Sequence, residues 1–580
     1  MTPMHGKGFL ASSLDRPITR PGTLVYGLDD VPSARVTFGL ALQVVAVQSV
    51  FFVLPAVFAG MLSNDPLDAM RFLSLSILAV ALWQVLQLLR RGAVGSGYPL
   101  LPATHTPALA GAYALAGAAG LGFGAVAAMV VITGVACVIL TFVMHRLRVL
   151  LPNEVAGVVV FLIGVQLIIL ATQRLGLQPG GTTPDGTAVI SVFASLLVMG
   201  AVALSRTRAA PFSVLVGTLC GVPIALAFGH GHPEAAALVA EQPWIALPQP
   251  WLPRFDQIEA VPLIGFLVGI VALKASAIGS LVVIQRASDA SWSRPDAPPI
   301  RRGPLANGLG IVAAGAVGAA CPGPSNAAVG LSVAAGTLAR RIAWVGVPLL
   351  VLVALCPKLM MLFVVMPEPI KAALLIYTGG FLMAQGNLLI TARLLDTRRM
   401  LIVSLGLGAG IIVAVAPQAF VEALPMLASP LAVGALVAFL INLATLPLVA
   451  RRAEKRITLV SGVHRQVTDW IDTVAGGWAL KPQTAAAARQ SIGELTEILV
   501  ERGARSMVLV ARLAEDRVEM TLTWTGDPLP DPPQSASAED ILGSDEARHR
   551  FAVWLATRQA QNFRQRPVGT ENEMWLAFED

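Results

Sequence analysis

Charged residues are scarce in this sequence: Asp, Glu, Lys and Arg make up 13% of its 580 residues, whereas hydrophobic residues make up 55%. With a mean hydropathy of +0.71, the chain is too apolar for the class of soluble globular proteins. Apolar runs of the length that crosses a bilayer fill residues 35–450. These features predict a polytopic membrane protein.

Cysteine is also rare, and the four residues Cys137, Cys220, Cys321 and Cys356 lie in or beside apolar runs without paired spacing. This pattern argues against a disulfide framework and against a metal centre. No motif resembles the active site of a hydrolase or a redox enzyme. The sequence therefore predicts no enzymatic activity, no metal and no cofactor.

The formal net charge of +6 does not indicate nucleic-acid binding, because the basic residues lie in clusters between the predicted spans. We expect fourteen transmembrane spans between residues 35 and 450, and the basic clusters follow the even-numbered spans. By the positive-inside rule, both termini are cytoplasmic. The predicted domains are a cytoplasmic N-terminal segment (1–34), an all-α membrane domain (35–450) and a cytoplasmic domain (451–580), in which normal charge density returns.

Two of the predicted spans are broken by proline and glycine. The third contains two glycines and three prolines between residues 95 and 107, and the tenth contains Pro-Gly-Pro at 322–324. Non-helical backbone survives at membrane depth only inside protein or beside a cavity. We expect residues 100–104 and 321–324 to pair antiparallel, each leading into a half-helix. Breaks seven spans apart predict 7+7 inverted repeats, the alternative being two unrelated re-entrant loops.

Several polar residues interrupt the apolar runs. Gln43 is a candidate for substrate contact, whereas Gln48 is expected to make a hydrogen bond between helices. His105 is either a hydrogen-bonding residue or a proton relay. Lys274, in the middle of the eighth span, requires a cavity, a partner or water, and it lies on roughly the opposite side of the helix from Ser276.

Short motifs in a fixed order make residues 30–450 resemble the nucleobase–ascorbate transporter family, also called nucleobase:cation symporter-2, which includes uracil and xanthine permeases. The motifs occupy residues 41–43, 97–99, 151–157, 278–283, 306–309, 325–326 and 356–359. The resemblance implies a core of spans 1–4 and 8–11 and a gate of spans 5–7 and 12–14, commonly in a homodimer.

The resemblance also implies a nucleobase site between the two half-helices and the eighth span. Its candidate residues in this chain are Gln43, Thr104, Ser276, Ser325 and Asn326. Where the family carries two acidic or amide side chains, this chain has Ser276 and Ser325, whose hydroxyls bind a base edge but carry no proton. Coupling to H⁺ or Na⁺ is therefore open, with Lys274 and His105 as candidates for a charge or coupling role.

The tail, residues 451–580, is predicted to be an α+β layer in the order strand, two helices, two strands, helix and two strands. It weakly resembles the histidine-kinase-type ATPase fold of anti-sigma factors, through Glu494 on a long helix and Gly526 after a strand. Ile498 stands near the place where that fold has a magnesium-binding Asn, and Thr523-Trp524-Thr525 offers no Asp to read adenine. We expect a degenerate regulatory or dimer-supporting domain, the alternative being an active ATP-binding domain.

The sequence thus predicts a carrier of uracil, xanthine, urate or a similar heterocycle in the bacterial cytoplasmic membrane, working by alternating access. Two alternatives stay open. One is a transporter-like sensor that signals through its tail, and the other is an anion carrier or channel that uses Lys274.

Overall fold

The computed structural model describes most of the chain between residues 19 and 579. The described ranges are 19–22, 24–90, 92–103, 109–147, 153–177, 185–205, 213–290, 296–325, 329, 332–333, 336–391, 395–416, 420, 430–445, 451–460, 462–478, 480–514, 517–531, 545–569 and 571–579.

Helices dominate the described part of the chain before residue 446. In chain order they are α1 (Ala34–Ser49), α2 (Val53–Leu62), α3 (Pro66–Leu88), α4 (Ala110–Ala118), α5 (Phe123–Leu147), α6 (Asn153–Arg174), α7 (Gly186–Leu204), α8 (Ser213–Ala227), α9 (Ala235–Glu241), α10 (Ala260–Ser288), α11 (Ala297–Ala316), α12 (Arg340–Ala354), α13 (Pro357–Val364), α14 (Glu368–Ile390), α15 (Thr397–Val415) and α16 (Pro430–Thr445). Two short strands, β1 (Pro102–Ala103) and β2 (Gly323–Pro324), lie among them.

Six helices in the described ranges are long and apolar enough to cross a membrane. They are α3, α6, α7, α14, α15 and the segment Phe123–Phe142 of α5. The pair α12 and α13 passes the same test together, although the two helices meet at a bend of 77° before Pro357. These helices identify the protein as a mostly helical, polytopic membrane protein.

Contacts divide the chain into two compact units. One comprises Met1–His145, Ala156–Asn387 and Gly406–Leu436, and the other comprises Arg146–Val155, Leu388–Leu405 and Val437–Asp580. Inside the second unit, the buried carboxylate of Glu154 at the start of α6 pairs with Arg399 of α15 at 3.1 Å. The neighbouring Arg398 donates to the hydroxyl of Thr445 at 2.9 Å, which ties α15 to the end of α16.

The described part of the last 130 residues contains one antiparallel sheet and three helices, α17 (His464–Trp478), α18 (Pro482–Glu501) and α19 (Asp545–Arg558). The strands are β3 (Arg451–Thr458), β4 (Ser506–Ala514), β5 (Arg517–Thr525), β6 (Asn562–Val568) and β7 (Glu571–Glu579), in the spatial order β3-β4-β5-β7-β6. Alternate side chains of each strand point to opposite faces. One face, with Leu509, Leu522 and Leu576, is buried in a core shared with Ile471 and Ile492 of the helices.

Helices α5 and α11 approach each other at backbone distance because of glycine. A Cβ atom on Gly134 would lie 2.5 Å from the backbone nitrogen of Val312, and one on Gly315 would lie 2.6 Å from that of Val131. Small residues allow this kind of approach between helices in a membrane, where packing rather than exclusion of water drives association.

We expect Gly134→Ala and Gly315→Ala to destabilise the folded protein, because each added methyl group meets backbone that cannot move aside. The cost should be about 1–3 kcal/mol, the usual range for overpacking. The measurement is thermal unfolding of the purified protein in detergent. Gly200→Ala is the matched control, since the space around Gly200 in α7 is open. A control as destabilised as the two variants would contradict the close-packing argument.

Candidate functional site

The two broken spans meet in a short antiparallel pair of strands buried among helices. Pro102 of β1 lies opposite Pro324 of β2, and Ala103 lies opposite Gly323. The backbone nitrogen of Ser325 extends the pairing by donating to the carbonyl of Leu101 at 2.9 Å. The pairing predicted from the proline and glycine breaks is therefore confirmed. We call this pair of segments, residues 97–103 and 320–325, the crossing.

Side chains of neighbouring helices complete the hydrogen bonding of the first segment of the crossing. Gln48 of α1, which is 1% exposed, donates from Nε2 to the carbonyl of Pro102 at 3.1 Å. The backbone nitrogen of Gly97 donates to the carbonyl of Gln87 at 2.9 Å, and the guanidinium of Arg340 donates to the carbonyl of Gly97. These backbone N–H and C=O groups, which would be costly to leave unpaired in a membrane interior, thus have partners within the protein.

The second segment is satisfied in the same way. The nitrogen of Ala320 donates to the hydroxyl of Ser76 of α3 at 3.0 Å. The nitrogen of Cys321 donates to the hydroxyl of Tyr113 of α4 at 3.3 Å. Tyr113 is itself fixed by a stacked contact with Phe58, whose ring centroid lies 4.7 Å away. The helix that follows one broken segment therefore holds the backbone of the other.

The end of the second segment makes one hydrogen bond of the helical kind. The backbone nitrogen of Val329 donates to the carbonyl of Ser325 at 2.9 Å, which is the i to i+4 spacing of an α-helix. Ser325 itself is buried. On the other side of the crossing, α4 begins at Ala110. The candidate site residues Thr104 and Asn326, and also His105, lie outside the described residues.

The remaining candidates for substrate contact lie on α1 and α10. Gln43 is half-buried on α1, the helix whose Gln48 holds the crossing. Ser276 belongs to α10, which packs against β2, although the side chain of Ser276 is outside the described part of the structure. The crossing thus has Ser325 within it and the helices carrying Gln43 and Ser276 beside it.

Lys274 of α10 is fully buried and is held by two other helices. Its ammonium donates to the hydroxyl of Thr141 on α5 and to the carbonyl of Pro304 on α11, the latter at 3.1 Å. The thiol of Cys137 also contacts it. Among the described residues, no carboxylate pairs with this ammonium. Lys274 therefore faces the α5 and α11 pair, and the carbonyl it binds belongs to α11 rather than to a broken span.

Sequence reasoning missed Ser76 and Tyr113, the side chains that hold the second segment of the crossing. Two further polar side chains of α3 bind backbone outside the crossing: Gln84 donates to the carbonyl of Ala343 at 2.7 Å, and Gln87 donates to that of Gly303 at 2.9 Å. All three α3 side chains are buried. Their spacing of three and eight residues along an apolar helix was the available signal, since it places polar groups on neighbouring faces.

Comparisons with known proteins agree with this arrangement. The family profile of the xanthine and uracil permeases, described as Permease family, matches residues 35–419. A xanthine permease of Escherichia coli is 25% identical over 450 residues, which cover 73% of this chain and 95% of that protein. A uric acid permease of Bacillus subtilis is 24% identical over 66% of this chain and 86% of its own length.

A putative purine permease of Clostridium perfringens is 24% identical over 72% of this chain and 92% of its own length. Among solved structures, the murine Solute Carrier 26 family member A9 anion transporter, in its inward-facing state, matches with a TM-score of 0.51 and 12% identity. The match covers 75% of this chain and 72% of that one, and it concerns the fold alone. Because the family profile spans residues 35–419, this chain is a transporter rather than an enzyme, a multi-pass membrane protein that belongs to the xanthine/uracil permease family.

Proposed function

We propose that this protein carries a nucleobase, such as uracil, xanthine, urate or a similar planar heterocycle, across the bacterial cytoplasmic membrane by alternating access. The observation that carries the proposal is the buried crossing, which ends at Ser325, in a chain of the xanthine/uracil permease family. The permeases named for xanthine, uric acid and purines support the substrate class.

The chemistry of the candidate residues suits a planar base. In this proposal a helix that starts at Ser325 directs the positive end of its dipole towards the ligand. The hydroxyls of Ser276, Ser325 and Thr104, and the amides of Gln43 and Asn326, can donate and accept hydrogen bonds along a base edge.

The architecture that goes with this function has fourteen spans in 7+7 inverted repeats within residues 35–450. In it, a core of spans 1–4 and 8–11 moves against a gate of spans 5–7 and 12–14, in a homodimer. Residues 1–34 and 451–580 are cytoplasmic. The crossing of the third and tenth spans supports the repeat, because broken spans in corresponding positions are its signature.

Lys274 supplies a fixed internal charge in this proposal. Its hydrogen bonds to Thr141 and Pro304 favour a structural role over an anion site. With serines at positions 276 and 325, the site carries no carboxylate that could take up a coupling proton there. Coupling to H⁺ or Na⁺ is therefore expected to be weak. The α+β tail would be a regulatory or dimer-supporting domain without nucleotide chemistry.

We expect the purified full-length protein in proteoliposomes to take up radiolabelled xanthine, urate or uracil with saturable kinetics. Ser325→Ala should raise KM by about 3- to 10-fold, the effect of losing one neutral hydrogen bond. Ser404→Ala is the control, since the exposed Ser404 hydroxyl only donates to the carbonyl of Met400 within α15. Binding without flux would favour a sensor, and an unchanged KM in Ser325→Ala would remove Ser325 from the site.

We also expect the initial rate of uptake to change by less than about twofold when a protonophore is added at clamped membrane potential, because no carboxylate at 276 or 325 cycles a proton. Ser276→Glu is the matched variant: a carboxylate at that position should make uptake depend on the proton gradient. Collapse of uptake in the unmodified protein would place a proton path elsewhere, with His105 as the first residue to replace.

A further inference from the structure

The segment before α1 forms an ordered strap along the core helices. We call residues 19–33, apart from 23, the strap. Its Tyr26 pairs parallel with Thr337. The backbone nitrogen of Tyr26 donates to the carbonyl of Gly336, and the nitrogen of Leu338 donates back to the carbonyl of Tyr26, both at 2.9 Å. The nitrogen of Arg340 donates to the carbonyl of Leu28 at 3.1 Å, which extends the contact to α12.

The strap meets the chain at a helix cap that follows the crossing in sequence. Gly336 has a φ of 66°, and its nitrogen donates to the carbonyl of Val333 at 3.0 Å. The nitrogen of Thr337 donates to the carbonyl of Ser332, also at 3.0 Å. This is the Schellman arrangement that closes the C-terminus of a helix, with glycine in the left-handed position. The strap therefore holds this cap through the backbone of Gly336 and Leu338.

One carboxylate of the strap links two further core elements. Asp29 pairs with Arg340 at the start of α12 and, at 3.4 Å, with Arg90 just after α3. The side chain of Arg340 is only 10% exposed, and its guanidinium also donates to the carbonyl of Gly97 in the crossing. The Asp29 side chain itself is 58% exposed, so the buried member of the pair is Arg340, and removing the carboxylate leaves this largely buried guanidinium without its anionic partner.

Apolar packing completes the contact between the strap and the crossing. Leu24 and Leu28 are at most 5% exposed and belong to one cluster with Tyr98 and Leu100 of the first segment and Val329 beyond the second segment. The strap thus reaches both broken spans through side chains as well as through backbone.

The strap also has internal order of its own. Asp30 accepts hydrogen bonds from Arg20 at 3.0 Å and from the nitrogen of Gly27 at 2.9 Å. This carboxylate stands next to Asp29 but bonds within the strap, whereas Asp29 bonds to the spans. The pair therefore offers a matched comparison of two neighbouring carboxylates.

We infer that Asp29 is a positioning residue for substrate binding, because it pins the strap against Arg340 and Arg90 and so holds the first segment of the crossing and the cap at Gly336 in register. The inference rests on the proposed nucleobase site at Ser325. Arg340 holds Gly97 of the crossing, and the strap holds the backbone at Gly336 and Leu338. Without Asp29 these contacts loosen, and the crossing that contains Ser325 is held less firmly.

The first test compares uptake by Asp29→Asn, Asp29→Glu and Asp30→Asn in proteoliposomes of the full chain. We expect Asp29→Asn to raise KM by about fivefold or more, the lower end of typical coupling between two sites, with Vmax per folded molecule little changed. Asp29→Glu keeps the charge and Asp30→Asn keeps the ion pairs with the spans, so both should retain the original KM. A lower yield or Vmax with an unchanged KM would reduce Asp29 to a general stabilising role and overturn the inference.

The second test is independent of substrate. Hydrogen exchange of the unliganded protein should be faster in Asp29→Asn at the amides of Tyr26, Thr337 and Leu338, and unchanged there in Asp30→Asn. Unaltered exchange at these amides in Asp29→Asn would overturn the inference even if nucleobase uptake is found. Faster exchange in Asp29→Asn, in a protein that transports no nucleobase, would support the role of Asp29 in holding the strap while contradicting the proposed function.

Discussion

The rest of the membrane-spanning structure depends on one constraint: backbone N–H and C=O groups that are buried away from water need hydrogen-bond partners. Two extended segments cross among apolar helices, and their polar groups must find partners inside the protein. The strands satisfy part of the need through the register of Pro102 and Pro324. Further partners include the side chains of Gln48, Ser76 and Tyr113 on three different helices, so that the crossing links α1, α3 and α4.

The same constraint limits which side chains are left for other tasks. The described polar groups in the spans are largely bound to backbone or to one another, as Gln84 is to Ala343 and Lys274 is to Pro304. Lys274 is bound to Thr141 of α5 and Pro304 of α11, so in this arrangement its ammonium is not directed at the crossing. The nucleobase site proposed at Ser325 would therefore depend on hydroxyls and amides, which recognise a hydrogen-bonding pattern.

Local sequence was sufficient to predict a mostly helical multi-pass chain, the two breaks and the pairing between them, because proline and glycine act on the residues next to them. It was not sufficient for the partners of the crossing or of Lys274. Ser76 and Ala320 are 244 residues apart, and Lys274 and Thr141 are 133 apart, so no periodicity links them. The segment before α1 was predicted only to be cytoplasmic, since the order of the strap comes from Gly336 and Arg340 far along the chain.

Backbone that crosses the protein without a regular helix is best held at more than one point. Hydrogen bonds across the crossing fix its two strands against each other. The strap adds the contact with the cap at Gly336 and the ion pairs of Asp29 with Arg340 and Arg90. These contacts cost conformational entropy during folding, when the chain is ordered, rather than at each binding event. In the nucleobase site proposed at Ser325, such preorganisation would be a means of strengthening binding through hydroxyls and amides.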